Sequence, residues 1–192
     1  MKKLDSLTRA IRQCQKGNND GFTWMLHEYG SRLYSYFFRI TGSKTEAEDL
    51  LQDLFVKLLE KIQIYQHDGR FENWLFRVAA NLARDRGRQK KRAINTVSQF
   101  RNEENQENLL NQMEANQLTP PQLFEQTQQH DRLQKALMQL SPGDREIIML
   151  RHFGNLSFNE IAETLDISIG TALSKVHRGL KKLRNIMVQY EK

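Results

Sequence analysis

Apolar side chains in the first half of the chain recur at the spacing that places them on one face of an α-helix. Within residues 46–64 the apolar positions are Ala47, Leu50, Leu51, Leu54, Phe55, Leu58, Leu59 and Ile62. Similar stripes run through residues 4–16, 22–40 and 71–92. The pattern predicts four helices that pack by their apolar faces, with the many aromatic side chains of 22–40 in the core.

Polar and glycine-containing segments separate these stripes. Gly17 is followed by an asparagine and is typical of a helix end. Thr45 followed three residues later by Glu48 is a capping-box pattern, which predicts the start of the third helix. Residues 65–70 form a short polar loop before the fourth helix.

Composition changes after the fourth stripe. Residues 95–129 are rich in Asn and Gln, contain five glutamates against one arginine, and include a Pro-Pro step. So few apolar groups cannot offset the entropy lost on ordering, and paired prolines stiffen the backbone. We therefore predict an acidic linker over residues 93–129.

Helical spacing returns at His130. Ser141 followed by proline predicts a capped helix, and Ser157 with Glu160 is a second capping-box pattern. The fold predicted for the whole chain is all-α, with two small helical domains at residues 1–92 and 130–192 joined by a flexible linker.

The last two predicted helices have the arrangement of a helix-turn-helix, whose second helix enters the major groove of DNA. Ala162 is small enough for a close helix crossing, and Asp166 tolerates the left-handed backbone of a tight turn. The predicted inward face of the second helix consists of six residues: Ile169, Ala172, Leu173, Val176, Leu180 and Leu183. The alternative is a solvated basic face with no ligand.

Charge sharpens the choice between these alternatives. The formal net charge is +6 with a pI near 9.5, which favours a polyanionic partner. Between residues 70 and 92 there are eight basic residues against two acidic ones. Asparagines lie among these arginines and can bond to base edges while the arginines hold phosphates, although a merely solvated face remains the alternative there.

Other chemistries are poorly supported. Cys14 is the only cysteine and the five histidines lack ligand spacing, so no metal site or disulfide is expected. Asp49 and Asp53 share a helix face without a converging histidine or third carboxylate, which favours docking of a basic partner over acid–base catalysis. There is no signal-peptide pattern and no apolar run approaching the ~20 residues that span a bilayer, so we expect a soluble, cytoplasmic protein.

Three sequence blocks resemble the extracytoplasmic-function (ECF) group of bacterial sigma-70 factors. "AEDLLQDLFVKLLEKI" is similar to region 2.2, "FENWLFRVAANLARDRGRQKKR" to regions 2.3 and 2.4, and the stretch from "LQKALMQLSPGDREIIML" to "SKVHRGLKKLR" to region 4. The resemblance implies a non-enzymatic protein without cofactors. It implies that the chain binds core RNA polymerase, carries it to a promoter and helps to open the DNA.

The resemblance also assigns residues to roles. It implies docking on the clamp helices of the largest polymerase subunit by Asp49, Gln52 and Asp53. It implies contacts with the −10 element by Tyr65, His67, Arg70, Asn73, Arg77, Asn81, Arg84 and Arg88, with Asn81 lining a pocket for a flipped base. It implies contacts with the −35 element by Ser168, Thr171, Ser174, Lys175, Arg178 and Lys182.

Further partners follow from the same resemblance. They are the flap of the second-largest polymerase subunit and an anti-sigma factor, and the acidic linker is expected to follow the RNA exit path. Leu173 departs from the family pattern, in which a basic residue is common at this place in "GTALSK". Either Leu173 packs inward, or the −35 element read here differs from the common one.

Two other functions remain open at the level of sequence. A helix-turn-helix regulator would bind duplex DNA alone, but the long first half lacks a recognisable ligand pocket or dimerisation motif. An adaptor without DNA would use its basic patches for RNA or an acidic protein. The need for core polymerase separates a sigma factor from both.

Overall fold

The computed structural model describes residues 2–96 and 120–190, with side chains placed for 5–93 and 128–190. The helices are α1 (Lys2–Gln15), α2 (Asn19–Thr41), α3 (Lys44–Lys61), α4 (Phe71–Thr96), α5 (Pro120–Met138), α6 (Pro142–Phe153), α7 (Phe158–Leu165) and α8 (Ile169–Gln189). A 3-10 turn, Ile62–Ile64, follows α3. Within the described ranges there is no strand, which confirms the all-α prediction.

Helices α1 to α4 form an N-terminal bundle with an aromatic core. Tyr36 of α2 is fully buried and packs edge-on against Phe37 at 5.5 Å and against Phe76 of α4 at 5.7 Å, between ring centroids. Leu50, Leu54 and Leu58 of α3 are also buried, as their spacing predicts. The apolar stripes therefore meet in one core, and the polar faces of α3 and α4 are left outside.

The ends of α2 and α3 differ from prediction in one detail. Ser43, not Thr45, caps α3, and its side chain accepts a hydrogen bond from the backbone N–H of Glu46. The Thr45–Glu48 capping box is therefore wrong by two positions. The preceding residue, Gly42, ends α2 with a φ of 76°, so the turn is complete before Ser43 and the helix begins earlier than the sequence pattern suggested.

Helices α5 to α8 form a C-terminal bundle. Ser141 caps α6 and Ser157 closes a reciprocal capping box with Glu160 at the start of α7, both as predicted. Helix α5 begins at Pro120 rather than at His130, so it extends into the segment predicted as linker. Helix α4 runs to Thr96 and so takes in the first four residues of the same segment. The rest of that predicted linker, residues 97–119, lies outside the described residues.

The turn between α7 and α8 sets the helix-turn-helix. Asp166 has φ 54° and ψ 53°, the left-handed conformation expected of it, and its backbone N–H bonds to the carbonyl of Ala162. Ala162 and Ala172 are buried where the two helices cross. Ser168 then caps α8 by accepting from the N–H of Thr171 at 3.1 Å.

The inward face of α8 is narrower than predicted. Ala172 is fully buried and Val176 and Leu183 are partly buried. The other three predicted inward residues are close to half exposed: Ile169, Leu173 and Leu180. A helix that lies over a small bundle can bury only one stripe, so the apolar residues flanking that stripe face outward.

The two bundles pack against each other. Helix α2 contacts α5 and α6, and α4 contacts α6 and α7. Gln134 of α5 donates to the carbonyl oxygen of Phe38 at 3.2 Å and accepts from Arg39 at 3.0 Å. No helix in the described part of the chain is long and apolar enough to cross a membrane.

Candidate nucleic-acid interface

The polar face of α4 carries the residues predicted for the −10 element. This face lies opposite the buried apolar stripe of α4, which consists of Leu75, Val78, Ala79 and Leu82. Its polar side chains follow one another about one helical turn apart: Arg77, Asn81, Arg84 and Arg88. A row of guanidinium groups at this spacing can bind successive phosphates. Arg88 donates to Asp85 at 2.6 Å and is otherwise exposed.

The loop before α4, residues 65–70, is held in place by a side chain of α1 and by aromatic packing. Gln15 of α1 donates to the carbonyl oxygens of Ile62 and Tyr65, at 3.0 and 2.8 Å. The ring of Tyr65 packs against Trp74 and Phe71, with centroids 4.7 and 5.4 Å apart. Burial raises the pKa of Tyr65 to about 12, so its phenol stays a neutral hydrogen-bonding group near neutral pH.

The remaining loop residues are more open. His67 Nδ1 lies 3.4 Å from the hydroxyl of Tyr65. The backbone N–H of Arg70 donates to the side-chain carboxylate of Asp68 at 3.0 Å. The side chain of Arg70 itself is exposed. Aromatic rings held in place beside long, exposed cationic side chains form a surface on which a nucleobase can stack while its phosphate is bound.

A cleft of about 190 Å³ lies between this loop and α4. Its N-terminal-bundle walls are Tyr65, Gln66, Asp68, Arg70, Asn73, Trp74 and Arg77. Asn81, which the sequence placed in a base pocket, does not line this cleft; its side-chain oxygen accepts from Arg84 at 2.5 Å. Asn73 is the asparagine that faces the cleft.

The other wall of the cleft belongs to the C-terminal bundle. Leu156, Glu160, Glu163 and Thr164 line it. The amide of Asn73 donates to Glu160, and Arg77 donates to Glu163 at 3.1 Å. Arg84 donates to the carbonyl oxygen of Thr164 at 2.7 Å. Sequence reasoning missed these contacts because they join residues about eighty positions apart, and no local pattern records such pairing.

Glu146 of α6 is the most enclosed carboxylate at this contact. Its side chain is 14% exposed, and Arg84 Nε lies 3.3 Å from its Oε1. That N–H points to the carbonyl of Ala80, so the pair is an ion pair without a hydrogen bond. Burial raises the pKa of Glu146 to about 7, and the positive charges of Arg84, Lys175 and Arg88 limit the rise.

Helix α8 presents the residues predicted for the −35 element. Ser168 and Thr171 lie at its N-terminus with their hydroxyls 2.8 Å apart, where the helix dipole favours a phosphate. Ser174, Arg178 and Lys182 are exposed on the outer face, and Lys175 is half-buried. Leu173 is 47% exposed, so it does not pack into the bundle.

The acidic face of α3 is partly neutralised by α4. Arg86 donates to Asp53 at 2.9 Å and lies 3.9 Å from Asp49. Lys90 donates to Glu46 at 2.5 Å. Asp49, Gln52 and Asp53 nevertheless remain exposed to a partner. The sequence predicts Arg86 among the arginines that hold phosphates, but it lies on the side of α4 that meets α3 and pairs with the aspartates of that helix.

A largely apolar groove of about 760 Å³ lies beside α8, between the C-terminal bundle and Arg39 of α2. Its apolar lining residues are Leu133, Leu137, Ile148, Met149, Phe153, Val176, Leu180 and Leu183. Polar and charged side chains line it as well: Arg39, His130, Arg151, His152 and Asn155. No group of three or more His, Cys, Asp or Glu side chains suited to a metal ion occurs among the described residues.

Comparison with known proteins matches both bundles. Residues 25–93 match the family model for sigma-70 region 2, and residues 130–183 match that for sigma-70 region 4. The chain is 29% identical to the ECF RNA polymerase sigma factor SigW of Bacillus subtilis, over 93% of this chain and 95% of that one. It is 30% identical to the RNA polymerase sigma factor CarQ of Myxococcus xanthus, over 94% and 97%.

A solved structure shares the fold. The sigma factor RpoE of Bartonella quintana, in complex with the anti-sigma factor NepR, matches with a TM-score of 0.67 at 22% identity, over 88% of this chain and 97% of that one. The family-model matches identify the two bundles as regions 2 and 4 of a sigma factor of the sigma-70 type. The chain belongs to the ECF group of this family, and it is a promoter-directing RNA polymerase sigma factor. The family is not known for enzymatic activity.

Proposed function

We propose that the chain grips a promoter at two points while its acidic face holds core RNA polymerase. The observation that carries this proposal is the distribution of charge: α4 and α8 each carry a basic face that contains Ser or Asn, and α3 carries an acidic one. On α4, Arg77, Asn81 and Arg88 are exposed, and α7 contacts the rest of the face. The basic faces belong to different bundles, matched to regions 2 and 4. Such a chain works in the cytoplasm, where polymerase and chromosome are.

Polymerase docking is assigned to Asp49, Gln52 and Asp53. Their exposure allows direct contact, and Arg86 beside the two aspartates orients the carboxylates without enclosing them. A basic helical surface on the clamp of the largest subunit would add cations to this face. Exposed ion pairs are weak one by one, so the face acts through several of them.

Reading of the −10 element is assigned to α4 and the loop before it. Tyr65 and Trp74 supply aromatic surface for an unstacked base, and Asn73 or Asn81 supplies an amide for its Watson–Crick edge. The arginines of α4, together with Arg70 and His67, hold the backbone. Of the two asparagines, Asn73 faces the cleft. Asn81 lies further along α4, beyond Arg77, and accepts a hydrogen bond from Arg84.

Reading of the −35 element is assigned to α8. Ser168 and Thr171 bind phosphate at the helix N-terminus, and Ser174, Lys175, Arg178 and Lys182 reach base edges and backbone. Leu173 is exposed among them, so it makes an apolar contact such as that with a thymine methyl group. The −35 element read here then differs from one that offers a guanine at this position.

The apolar groove beside α8 is assigned to protein partners. Its lining of leucines, Ile148 and Phe153 suits an amphipathic helix. We assign it to the flap of the second-largest polymerase subunit and, in the inhibited protein, to an anti-sigma factor, the kind of partner with which RpoE of Bartonella quintana was solved.

Run-off transcription with core polymerase tests the proposal. Specific start sites should appear only when both the chain and core enzyme are present, and gel shifts should show weak promoter binding by the chain alone. Asn73→Ala and Asn81→Ala should each be compared by permanganate footprinting of the melted region. The variant that keeps recruitment but loses melting identifies the base pocket, and normal melting in both variants would refute it. Tight, sequence-specific binding by the free chain would favour the autonomous regulator instead.

A further inference from the structure

Another pocket, of about 410 Å³, lies where four helices meet. Its walls are Ile40 and Thr41 at the end of α2, Glu46 in the first turn of α3, residues 83–91 of α4 and residues 142–146 of α6. We call it the junction pocket. Its volume lies in the range of pockets that bind small molecules, and neither the docking face nor the helix-turn-helix includes it.

Cations outnumber carboxylates by five to two in the lining of the junction pocket. The cations are Arg84, Arg88, Lys90, Lys91 and Arg145. Lys90 pairs with Glu46 at 2.5 Å, and Arg84 lies 3.3 Å from Glu146. Arg88 bonds to an aspartate on its own helix. Among the described residues, Lys91 and Arg145 pair with no carboxylate, so the pocket carries an excess of positive charge.

Arg145 of α6 is a buried cation without a compensating anion. The residue is 8% exposed, and its Nε makes no hydrogen bond within the described part of the chain. Its Nη1 donates to the sulfur of Met138, which is a weak acceptor. Burial lowers the pKa of this guanidinium, because the charge has left water without meeting a carboxylate. Buried charges in proteins are normally paired, so Arg145 is suited to an anionic ligand.

Gly87 leaves room in the junction pocket on the side of α4. It lies inside the helix, where glycine is less favourable than alanine, and its backbone does not adopt a positive φ. A Cβ at this position would meet no atom within 4 Å, so close packing does not require a glycine. What the missing side chain provides is space beside the cations.

The two carboxylates of the pocket do not prevent an anion from binding. Glu46 is held by Lys90 at the rim. Burial raises the pKa of Glu146 to about 7, so near neutral pH a large part of this carboxyl is protonated and can donate to an anionic oxygen.

We propose that the junction pocket binds a small molecule that carries a diphosphate or longer phosphate group, held by Arg145 and Lys91. A guanidinium can bind phosphate oxygens in a bidentate manner. A single carboxylate would neutralise only one of the excess charges, whereas a diphosphate carries several. The four walls keep a nucleic-acid strand from the floor at Arg145, and Ile40 with Ala83 offers apolar surface to an organic part. The proposal goes beyond the proposed function and does not depend on it.

Isothermal titration calorimetry on the full chain, without divalent cations, tests the site. Pyrophosphate and ADP share the diphosphate, and both should bind when sodium chloride at the same ionic strength gives no saturable heat. Tighter binding of ADP identifies a nucleotide-like ligand, and equal affinities identify an inorganic one. No saturable binding of either probe at millimolar concentration would overturn the proposal.

Replacing Arg145 locates the binding. Arg145→Met keeps much of the volume and removes the charge, and affinity should fall about tenfold or more, as expected when a charge-assisted hydrogen bond is lost. Thermal unfolding without ligand should show a folded chain, because the lost charge had no partner. The control is Lys61→Gln, an exposed change at the far end of α3, roughly 22 Å from Glu46 by helical rise. An equal loss in both variants means general charge attraction and rejects the site.

A matched pair at Gly87 gives an independent test. Glutamate and lysine have nearly equal helix propensity, so Gly87→Glu and Gly87→Lys should be similarly stable. The glutamate should weaken binding of ADP and the lysine should keep or strengthen it; equal affinities would refute the pocket. A single-stranded oligonucleotide that depends on Arg145 as strongly as ADP does would reassign the pocket to nucleic acid. These measurements use neither promoter nor polymerase, so their failure leaves the proposed function standing.

Discussion

The guanidinium of Arg32 on α2 donates to the backbone carbonyl oxygen of Phe153 at the end of α6, with 2.6 Å between Nε and oxygen. The same side chain pairs with Glu72 at 2.8 Å and lies over the ring of Phe76, 4.9 Å from its centroid. One arginine thus joins the core of the N-terminal bundle to a helix terminus of the other bundle.

Replacing Arg32 should loosen the contact between bundles. Arg32→Met keeps the apolar stem but removes the donor, and a hydrogen bond from a charged group is worth about 1.5–3 kcal/mol. We expect the radius of gyration from small-angle X-ray scattering to rise. Arg12→Met, an exposed change on α1, is the control, and an equal radius in both variants would show that Arg32 does not join the bundles.

The packing of the two bundles against each other should depend on pH through Glu146. Its pKa is raised to about 7 by burial, whereas an exposed glutamate has 4.5, so Glu146 holds a proton in the packed bundles that it releases when they separate. The contribution to packing is therefore complete below about 4.5 and is lost as pH rises through 7. The charged groups around it are Arg84 and Arg88 of α4 and Lys175 of α8, with Tyr36 of α2 nearby.

Distances between spin labels at Lys16→Cys and Asn185→Cys, one in each bundle, check this expectation at pH 6 and pH 8, because the native Cys14 is fully buried. The short distances of the packed bundles should gain population at pH 6, and Glu146→Gln, which carries no titrating group, should show the smaller change. Glu160 has a lowered pKa, so its own effect lies below 4.5 and outside this range. A pH response of equal size in the Glu146→Gln chain would assign the effect to another group.

Asp166 should tolerate glycine better than alanine. Its φ of 54° is the left-handed conformation, which costs a residue with a Cβ roughly 1–2 kcal/mol. Asp166→Gly should leave the urea midpoint unchanged or raise it, whereas Asp166→Ala should lower the free energy of unfolding by about 1 kcal/mol. Equal stability of the two variants would mean that the turn rearranges when the aspartate is lost.

Asp53→Arg should weaken binding to core polymerase. The change reverses the charge of the docking face and places a second guanidinium against Arg86, which donates to Asp53 at 2.9 Å in the native chain. Co-purification with core enzyme measures the loss, and Asp5→Arg, an exposed reversal on α1, is the control. Retention of Asp53→Arg on core enzyme at the level of the control would remove this residue from the docking face.

Leu173→Arg should change promoter preference without changing stability. The side chain is 47% exposed, and surface substitutions of this kind usually stay within about 0.5 kcal/mol. An arginine there gains a bidentate contact to guanine and loses the apolar one. Selection of −35 sequences with the reconstituted holoenzyme measures the shift; identical preferences would show that position 173 does not reach the groove.

Local patterns predicted the helices well and their mutual arrangement poorly. The capped starts at Ser141 and Ser157 and the left-handed Asp166 follow from short-range hydrogen bonding, which the sequence records directly. The cap of α3 is Ser43 and not the predicted Thr45, because two hydroxyl residues lie within the same turn. The left-handed Gly42 ends α2 directly before Ser43, so Ser43 is the one that caps α3.

Prediction of the site from sequence stopped at the level of single helices. The sequence identifies α4 and α8 as basic surfaces, but an arginine row has the same pattern whether it faces solvent, DNA or carboxylates of the same chain. Only packing of the bundles brings Arg77 to Glu163 and Asn73 to Glu160. The exposed position of Leu173 was likewise open, since the width of a buried stripe depends on what lies beneath it.

The pairing of Arg77 and Arg84 with internal carboxylates also affects the ionic-strength dependence of promoter binding. A cation that leaves a carboxylate for a phosphate exchanges one fixed anion for another, and it releases fewer counterions overall than a cation that starts in solvent. Each phosphate contact on single-stranded DNA ordinarily contributes about −0.7 to the slope of log affinity against log salt concentration. The free chain should therefore have a shallower slope than the number of its arginines suggests.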